Sequence, residues 1–446
     1  MAVVEVVKSE LVPPSEPTPR GALWLSNLDL AARNGYTPTV YFFRRPDGGQ
    51  QPPLQGNFFS AGVLRAALAD ALVPFYPFAG RLGVGRDGRA EIDCNAEGAL
   101  FVVARSEAAL DEFEDGFAPS KAMNDMFVPP YESAGPAAPL LLLQVTFFRC
   151  GGVALGTAMH HFVIDGRSAF NFIRTWAGIA RGDTTTSTVV APSLDRTPLR
   201  ARPHPAVLFD HTHEYGGGGR LTTPTPTPTN KSSQYASAIL RVTGAQAAAL
   251  RARAGGGGAS STSTFRALVA HVWRCACAAR ALPPDAESRL YTMVDMRARL
   301  IPPLPDAFFG NAVARTSASA RVGDILSSPL GFAARRVRAA TGHGDAYARS
   351  VVDYLEAADA VAGMPRGGLK GTDLRVISWL GMPSYDADFG WGEPALLAPA
   401  LMYYTGFVYL LNCPGKEGGV AVAVALEPER MERFKELFFE ELATLV

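Results

Sequence analysis

Two adjacent histidines, His160 and His161, stand before Asp165 and Gly166 in the stretch AMHHFVIDGRSAF, and no other residues of the chain are better suited to proton transfer. A neutral imidazole, with an ordinary pKa near 6.5, takes a proton at cellular pH, and a positioned base of this kind is worth about 10²–10⁴ in rate. A paired His in an apolar run is more often a packing pattern, so the surroundings must decide. Asp165 follows His161 by four residues, and Asp165–Gly166 suits a sharp turn into a helix, whose N-terminal dipole favours a carboxylate.

The flanking elements give that turn its setting. LLLLQVTFFRCGGVALGTAMHHF reads as two buried strands turning at Gly151–Gly152, and RSAFNFIRTWAGIARG as a helix with Phe170, Ile173 and Trp176 on one face and a glycine stop. HHFVIDG is then a strand-to-helix connection, a place where α/β folds expose reactive side chains at a sheet edge. STFRALVAHVWRCACAARAL reads as a further helix, and GVAVAVALEPERMERFKELFFEELATLV as a strand leading into a closing helix. EYGGGGRLTTPTPTPTNKSS disfavours both helix and central strand. It divides the chain into halves at 1–213 and 235–446, with 214–234 as an exposed linker, and a second glycine run at 254–264 reads as a loop. Two α/β halves around a shared cleft follow from the pattern.

Composition narrows the function. The 446 residues are 48% hydrophobic and 19% charged with formal net charge +0, long enough for two cores and without the basic footprint of a nucleic-acid or acidic-membrane partner. Cys94, Cys150, Cys275, Cys277 and Cys413 are few, odd in number and mostly in apolar runs, as expected of reduced thiols in a cytoplasmic protein. The start, MAVVEVVKSELVPP, lacks a signal-peptide layout. PALLAPALMYYTGFVYLLNC, residues 394–413, is uncharged over a span-like length, yet its prolines, Thr405–Gly406 and aromatic clusters favour buried strands joined by a turn.

Three patterns invite other functions. Gly83, Gly85 and Gly88 match the spacing of a dinucleotide fingerprint, but Asp87–Gly88 runs into a strand, RAEIDC, where the fingerprint needs a helix. His211, His213 and Glu214 could suggest metal ligation, but without a second cluster they read as a solvated loop, and no metal site is expected. No G-x-S-x-G elbow accompanies Ser168, which weakens a serine-hydrolase reading.

His161-Phe-Val-Ile-Asp165-Gly166 resembles the H-x-x-x-D-G motif of the BAHD family of plant acyl-CoA-dependent acyltransferases. Asp388-Phe389-Gly390-Trp391-Gly392 resembles its second signature, D-F-G-W-G. The likeness runs end to end. TPTVYFFR, LVPFYPFAGRLG, HVWR, FFGN and YDADFGWGEP are similar to the hydroxycinnamoyl-CoA shikimate/quinate hydroxycinnamoyltransferase branch. The resemblance implies two chloramphenicol-acetyltransferase-like domains, each a mixed sheet flanked by helices, with the channel between them. It implies His161 as general base and direct attack of an alcohol or amine on the thioester in a ternary complex. Asp165 would hold the turn through an ion pair, with Arg297 the first candidate and Arg299 the second. The DFGWG loop would be structural. Trp391, Asn311 and backbone N–H groups are candidates for holding the tetrahedral oxyanion. Acyl-CoA is then a substrate, no cofactor is implied, and a monomer is expected.

The departures from that branch fall on the acceptor side. Where shikimate-acylating relatives carry an arginine ahead of DFGWG, this chain has Gly381 in ISWLGMPSYDADFGWG. Losing that charge-assisted bond should cost about 1.5–3 kcal/mol of acceptor binding, roughly 10- to 150-fold. Tyr36 replaces a pocket His, and Arg167 an aromatic residue, either facing solvent or supplying a relocated cation. Thr37, Thr39 and Tyr41 line the pocket, with Thr39 and Tyr41 available to the phenol end of a hydroxycinnamoyl group. The expectation is transfer of p-coumaroyl, caffeoyl or feruloyl from CoA to a polyamine such as spermidine, to glycerol or to another polyol, with shikimate disfavoured. A thioester or ester hydrolase and a non-catalytic binding protein on the same scaffold are the alternatives.

Overall fold

The structure, a computed structural model, describes residues 4–45, 59–114, 116–130, 137–183, 191–216, 235–255, 262–357, 369–415 and 419–445. Two six-stranded mixed sheets dominate it, with a small three-stranded sheet beside the first. The first runs in the order Val4–Val12, Ala99–Ser106, Leu141–Phe148, Val153–His160, Tyr36–Phe43, Leu396–Pro399. The second runs Val313–Arg321, Glu287–Asp295, Leu374–Ser378, Phe407–Asn412, Val420–Leu426, Ala236–Val242.

The hairpin Leu141–Phe148/Val153–His160 turns at Gly151, in the left-handed region at φ +85°, as the sequence predicts. Its strands are mostly apolar and buried along nearly their whole length because the sheet is covered on both faces. Helices Ala61–Ala71 and Gly166–Arg181 cover one face, pinned where Trp176 Nε1 donates to the Leu64 carbonyl at 2.9 Å. The second sheet carries Thr264–Ala279, Gly331–Thr341 and Pro428–Ala443 around its own core of Trp273, Leu410, Val424 and Phe434. One apolar cluster bridges the halves, joining Leu155, Met159 and Tyr41 to Trp379, Tyr409 and Ala423.

Residues 394–413 do form two buried strands, but the strands belong to different sheets. Leu396–Pro399 pairs antiparallel with Tyr36–Phe43 of the first, and Phe407–Asn412 enters the second. A local pattern cannot show this, because partner choice depends on segments hundreds of residues away. No helix among the described residues is long and apolar enough to cross a membrane.

The glycine triplet Gly83/Gly85/Gly88 lies in a hairpin between Arg81–Val84 and Ala90–Asp93. The solvated reading holds for His213, which is exposed, but is corrected for its two companions: His211 is fully buried, its Nε2 2.9 Å from Ser350 Oγ, and Glu214 is buried in the short helix Thr212–Tyr215. Aromatic contacts with Tyr347 and Tyr354 draw the histidine inward, and burial holds it neutral, its pKa lowered to about 4. Of the expected linker, 217–234 lie outside the described residues, as do 256–261 of the second glycine run. Three of the five cysteines are buried, but Cys150 is exposed in the hairpin turn and Cys413 half-buried.

Candidate active site

The strand Val153–His160 delivers the histidine pair to its end, and the pleat separates them. His160 is fully buried, edge-on to Tyr36 and Phe162 at ring distances of 5.3 and 5.4 Å, and its Nδ1 accepts from the Phe162 backbone N–H at 3.3 Å. Burial, with His161 and Arg33 nearby, pushes its pKa down to about 3, so it stays neutral packing. His161 has left the sheet, its N–H held by the Gly35 carbonyl at 2.9 Å, and its side chain keeps partial exposure. Nδ1 is its buried ring nitrogen, which leaves Nε2 to meet a substrate. Burial lowers the His161 pKa, with its own carbonyl and Asp165 opposing and Arg33 adding to the shift, so the imidazole is neutral at cellular pH.

Asp165 is the N-cap of Gly166–Arg181, its Oδ1 accepting from Ser168 N at 3.0 Å. Arg297 clamps the carboxylate bidentately, Nη1 to Oδ2 at 2.7 Å and Nη2 to Oδ1 at 2.9 Å, and Ala312 N donates to Oδ2 at 3.0 Å. Burial alone would raise this carboxyl, but the Arg297 charge and the four hydrogen bonds outweigh it and hold the pKa below the usual range. Arg299 lies elsewhere, donating to the Thr341 carbonyl at 2.8 Å. Ser168 Oγ is spent on the Phe308 carbonyl at 2.9 Å and accepts from Arg297 at 3.0 Å, so it is architecture. Gly166 is the first helical residue, not a left-handed turn residue. A Cβ there would stand 3.4 Å from Trp379 Nε1, so the helix start lies close under the indole.

The second motif grips the other end of the same helix. Arg181 Nη1 donates to the Asp388 carbonyl, and Asp388 Oδ1 accepts from the backbone N–H groups of Gly390, Trp391 and Gly392 at 2.8, 3.1 and 3.0 Å. Phe389 is buried against Trp176 at 4.8 Å, and Trp391 lies 4.6 Å from Phe59. Gly166 and Arg181 are the first and last of 16 helical residues, about 22 Å apart at 1.5 Å per residue. Trp391 is therefore out of reach of an oxyanion at His161, and that expectation is corrected. Asn311 is corrected too: it lies beside His161, but both its amide hydrogens are committed, to Asp29 Oδ1 at 3.0 Å and the His161 carbonyl at 2.8 Å.

Thr37, Thr39 and Tyr41 alternate onto one face of Tyr36–Phe43. Thr37 is half-buried. Thr39 is nearly closed off, its hydroxyl 2.6 Å from that of Thr157, and Tyr41 is 1% exposed within the cluster joining the two halves. The availability expected of Tyr41 is corrected: its ring is buried and stacks on Phe43 at 6.5 Å. Gly381 sits in an exposed turn at φ +73° with nothing within 4 Å of where a Cβ would stand. Arg167 is partly exposed and pairs with Asp306 at 3.4 Å and Asp295 at 3.7 Å.

Sequence reading missed the buried set behind His161. Asp29, fully buried, accepts from Asn311 N at 2.7 Å, Ser26 N and Oγ at 2.8 Å each, and Arg196 Nε at 3.0 Å. The capping pattern Ser26–Asp29 was available as a signal, but it points to a helix start and not to a histidine far along the chain.

A family model described as the Transferase family matches residues 2–441. The chain is 48% identical to putrescine hydroxycinnamoyltransferase 1 of Oryza sativa subsp. japonica, over 98% of this chain and 99% of that one. It is 40% identical to shikimate O-hydroxycinnamoyltransferase of Nicotiana tabacum over 98% and 99%. Among solved structures, F. graminearum TRI101 with coenzyme A and deoxynivalenol superposes with TM-score 0.78 at 19% identity, over 95% of this chain and 99% of that one. Vinorine synthase does so with TM-score 0.73 at 22% identity, over 100% and 98%. At these identities the two structures share the fold.

Proposed function

The chain belongs to the BAHD family of acyl-CoA-dependent acyltransferases and is a hydroxycinnamoyltransferase, and within that activity we propose that its acceptor is a small aliphatic amine, with His161 as the general base. Nε2 of the neutral imidazole takes the proton from the attacking nitrogen as the C–N bond forms. The tetrahedral intermediate then collapses with loss of the CoA thiolate, which carries off the electron pair of the C–S bond. The thiolate leaves readily, so no acyl-enzyme is required. Asp165 does not touch the reaction; with Arg297 it fixes the turn that presents His161.

The observation that carries the acceptor class is Gly381. The position offers no side chain, and the nearby cation Arg167 is paired with two aspartates, so a carboxylate acceptor finds no free partner there. The higher identity to the putrescine transferase than to the shikimate transferase points the same way. On this reading the enzyme works as a cytoplasmic monomer with acyl-CoA as substrate and no cofactor. Steady-state turnover of p-coumaroyl-CoA with putrescine, spermidine, glycerol and shikimate tests it. Amide products should dominate, whereas preference for shikimate refutes the acceptor assignment. CoA release at the same rate without acceptor would make the protein a thioesterase.

A further inference from the structure

Two buried polar atoms in the site have no partner in hydrogen-bond geometry among the described residues, His161 Nδ1 and Asn311 Oδ1, although the ring lies close to its own carbonyl and to the Asn311 side chain. One is a ring nitrogen that can carry a proton, the other an acceptor, and burying either unpaired costs about 1–3 kcal/mol. The amide cannot be turned over to change this. Its Nδ2 faces the Asp29 carboxylate and the His161 carbonyl, both acceptors, and a flip would set oxygen against oxygen twice. Oδ1 is thus fixed as the unpaired atom of an amide whose other end holds the His161 carbonyl. Asp29 holds Asn311 by two bonds, from its backbone and its side chain, and is itself held by Arg196 and Ser26.

We propose that Asn311 is the positioning residue of His161: in the working enzyme Nδ1–H donates to Asn311 Oδ1, which fixes the tautomer with Nε2 bare, and Asp29 anchors the amide from behind. The aligned series is carboxylate, amide, imidazole, and the carboxylate is Asp29, not Asp165 of the motif. Asp165 is saturated by Arg297, Ser168 and Ala312 and has no bond to spare for the ring. The Asn311 side chain favours protonated His161, as an acceptor next to an imidazolium should.

The inference rests on His161 being the base, and the tests separate the two. In the wild-type enzyme, ¹⁵N-histidine NMR, with the His161 signals identified by their loss in His161→Ala, should show the Nδ1-protonated tautomer, and the Nε2-protonated form overturns the proposal. Because this measurement needs no variant of Asn311, misfolding cannot obscure it. Asn311→Ala should lower kcat about 10- to 100-fold, part of what a general base contributes, with KM changed less than about threefold. With an amine acceptor, log(kcat/KM) rises by one per pH unit from amine ionisation and by two below the His161 pKa, so the break reports that pKa. It should move to lower pH in Asn311→Ala and to higher pH in Asn311→Asp, where a carboxylate faces the ring. A break that stays in place in both variants leaves Asn311 a backbone clamp only and refutes the proposal, whereas full turnover in His161→Ala refutes the proposed base instead.

Discussion

Replacing Asp165 by Asn separates architecture from chemistry most sharply. The substitution keeps shape and removes charge, and either orientation of the amide sets an NH₂ group against donors: Arg297 Nη1 and Ala312 N on one side, Arg297 Nη2 and Ser168 N on the other. Arg297 is 2% exposed and would be left with Asp295, 3.3 Å away, as its only charged partner among the described residues. Stranding a buried charge costs about 3–5 kcal/mol, and the surviving Asp295 contact places this case near the lower end. With an unfolding entropy of about 2.1 cal/mol/K per residue, 3 kcal/mol is about 3 °C of Tm if the whole chain unfolds as a unit, and about twice that if one half unfolds alone. Differential scanning fluorimetry beside single-turnover kinetics should show both Tm and turnover falling. Asp165→Asn/Arg297→Met, which removes the stranded cation, should recover much of the Tm. Because the Asp165 pKa is depressed in the fold, its stabilisation is complete above the unfolded value near 4 and is lost as pH falls below it. An Asp165→Asn enzyme with unchanged Tm and abolished turnover would refute the architectural role.

His161→Ala should lower kcat at least about 10²-fold with Tm preserved, whereas His160→Ala should act mainly on Tm by hollowing the contact between Tyr36 and Phe162; exchanged phenotypes would overturn the assignment. Both histidines have depressed pKa values, so unfolding takes up protons and stability should decline below the unfolded value near pH 6.5, continuing towards pH 3 for His160, as urea melts across that range would show. Gly381→Arg should shift acceptor preference towards shikimate, measured as a ratio of kcat/KM values, at about 1–2 kcal/mol of Tm-linked stability because its φ is +73°. Gly156→Ala should fail to fold stably, since its Cβ would stand 1.7 Å from the Phe127 carbonyl oxygen; a soluble variant with normal Tm would contradict the packing of that strand.

What the sequence discloses is local or motif-borne. The hairpin through Gly151, the helix from Gly166 and the turn between them follow from periodicity and glycine placement, because each is set by neighbours within one element. The Asp165–Arg297 contact came from family resemblance, since nothing in DMRARL by itself selects Arg297 over Arg299. Asp29, Arg196 and Asn311 could not be read, because a buried polar network is assembled from segments whose proximity only the finished fold creates. The burial of His211 is hidden for the same reason: a polar, glycine-flanked stretch looks solvated until Tyr347 and Tyr354 close over the ring. The separation of Trp391 from His161 is likewise illegible, because a pair of motifs says nothing of the helix length between them.

The strand Leu396–Pro399 has a consequence for biosynthesis. The first sheet is hydrogen-bonded along Tyr36–Phe43 to a segment made 239 residues after His160, the end of its last other strand. At about 5–20 residues per second, a ribosome needs about 10–50 s to supply it. Throughout that interval the nascent first half presents the backbone donors and acceptors of an apolar strand, Tyr36–Phe43, as an open edge, the kind of surface on which chains pair with one another. Soluble yield during expression should therefore respond to translation speed and chaperone supply more than the stability of the finished enzyme suggests. For the same reason, cutting the gene between the two sheets would give a first fragment that lacks its own edge strand.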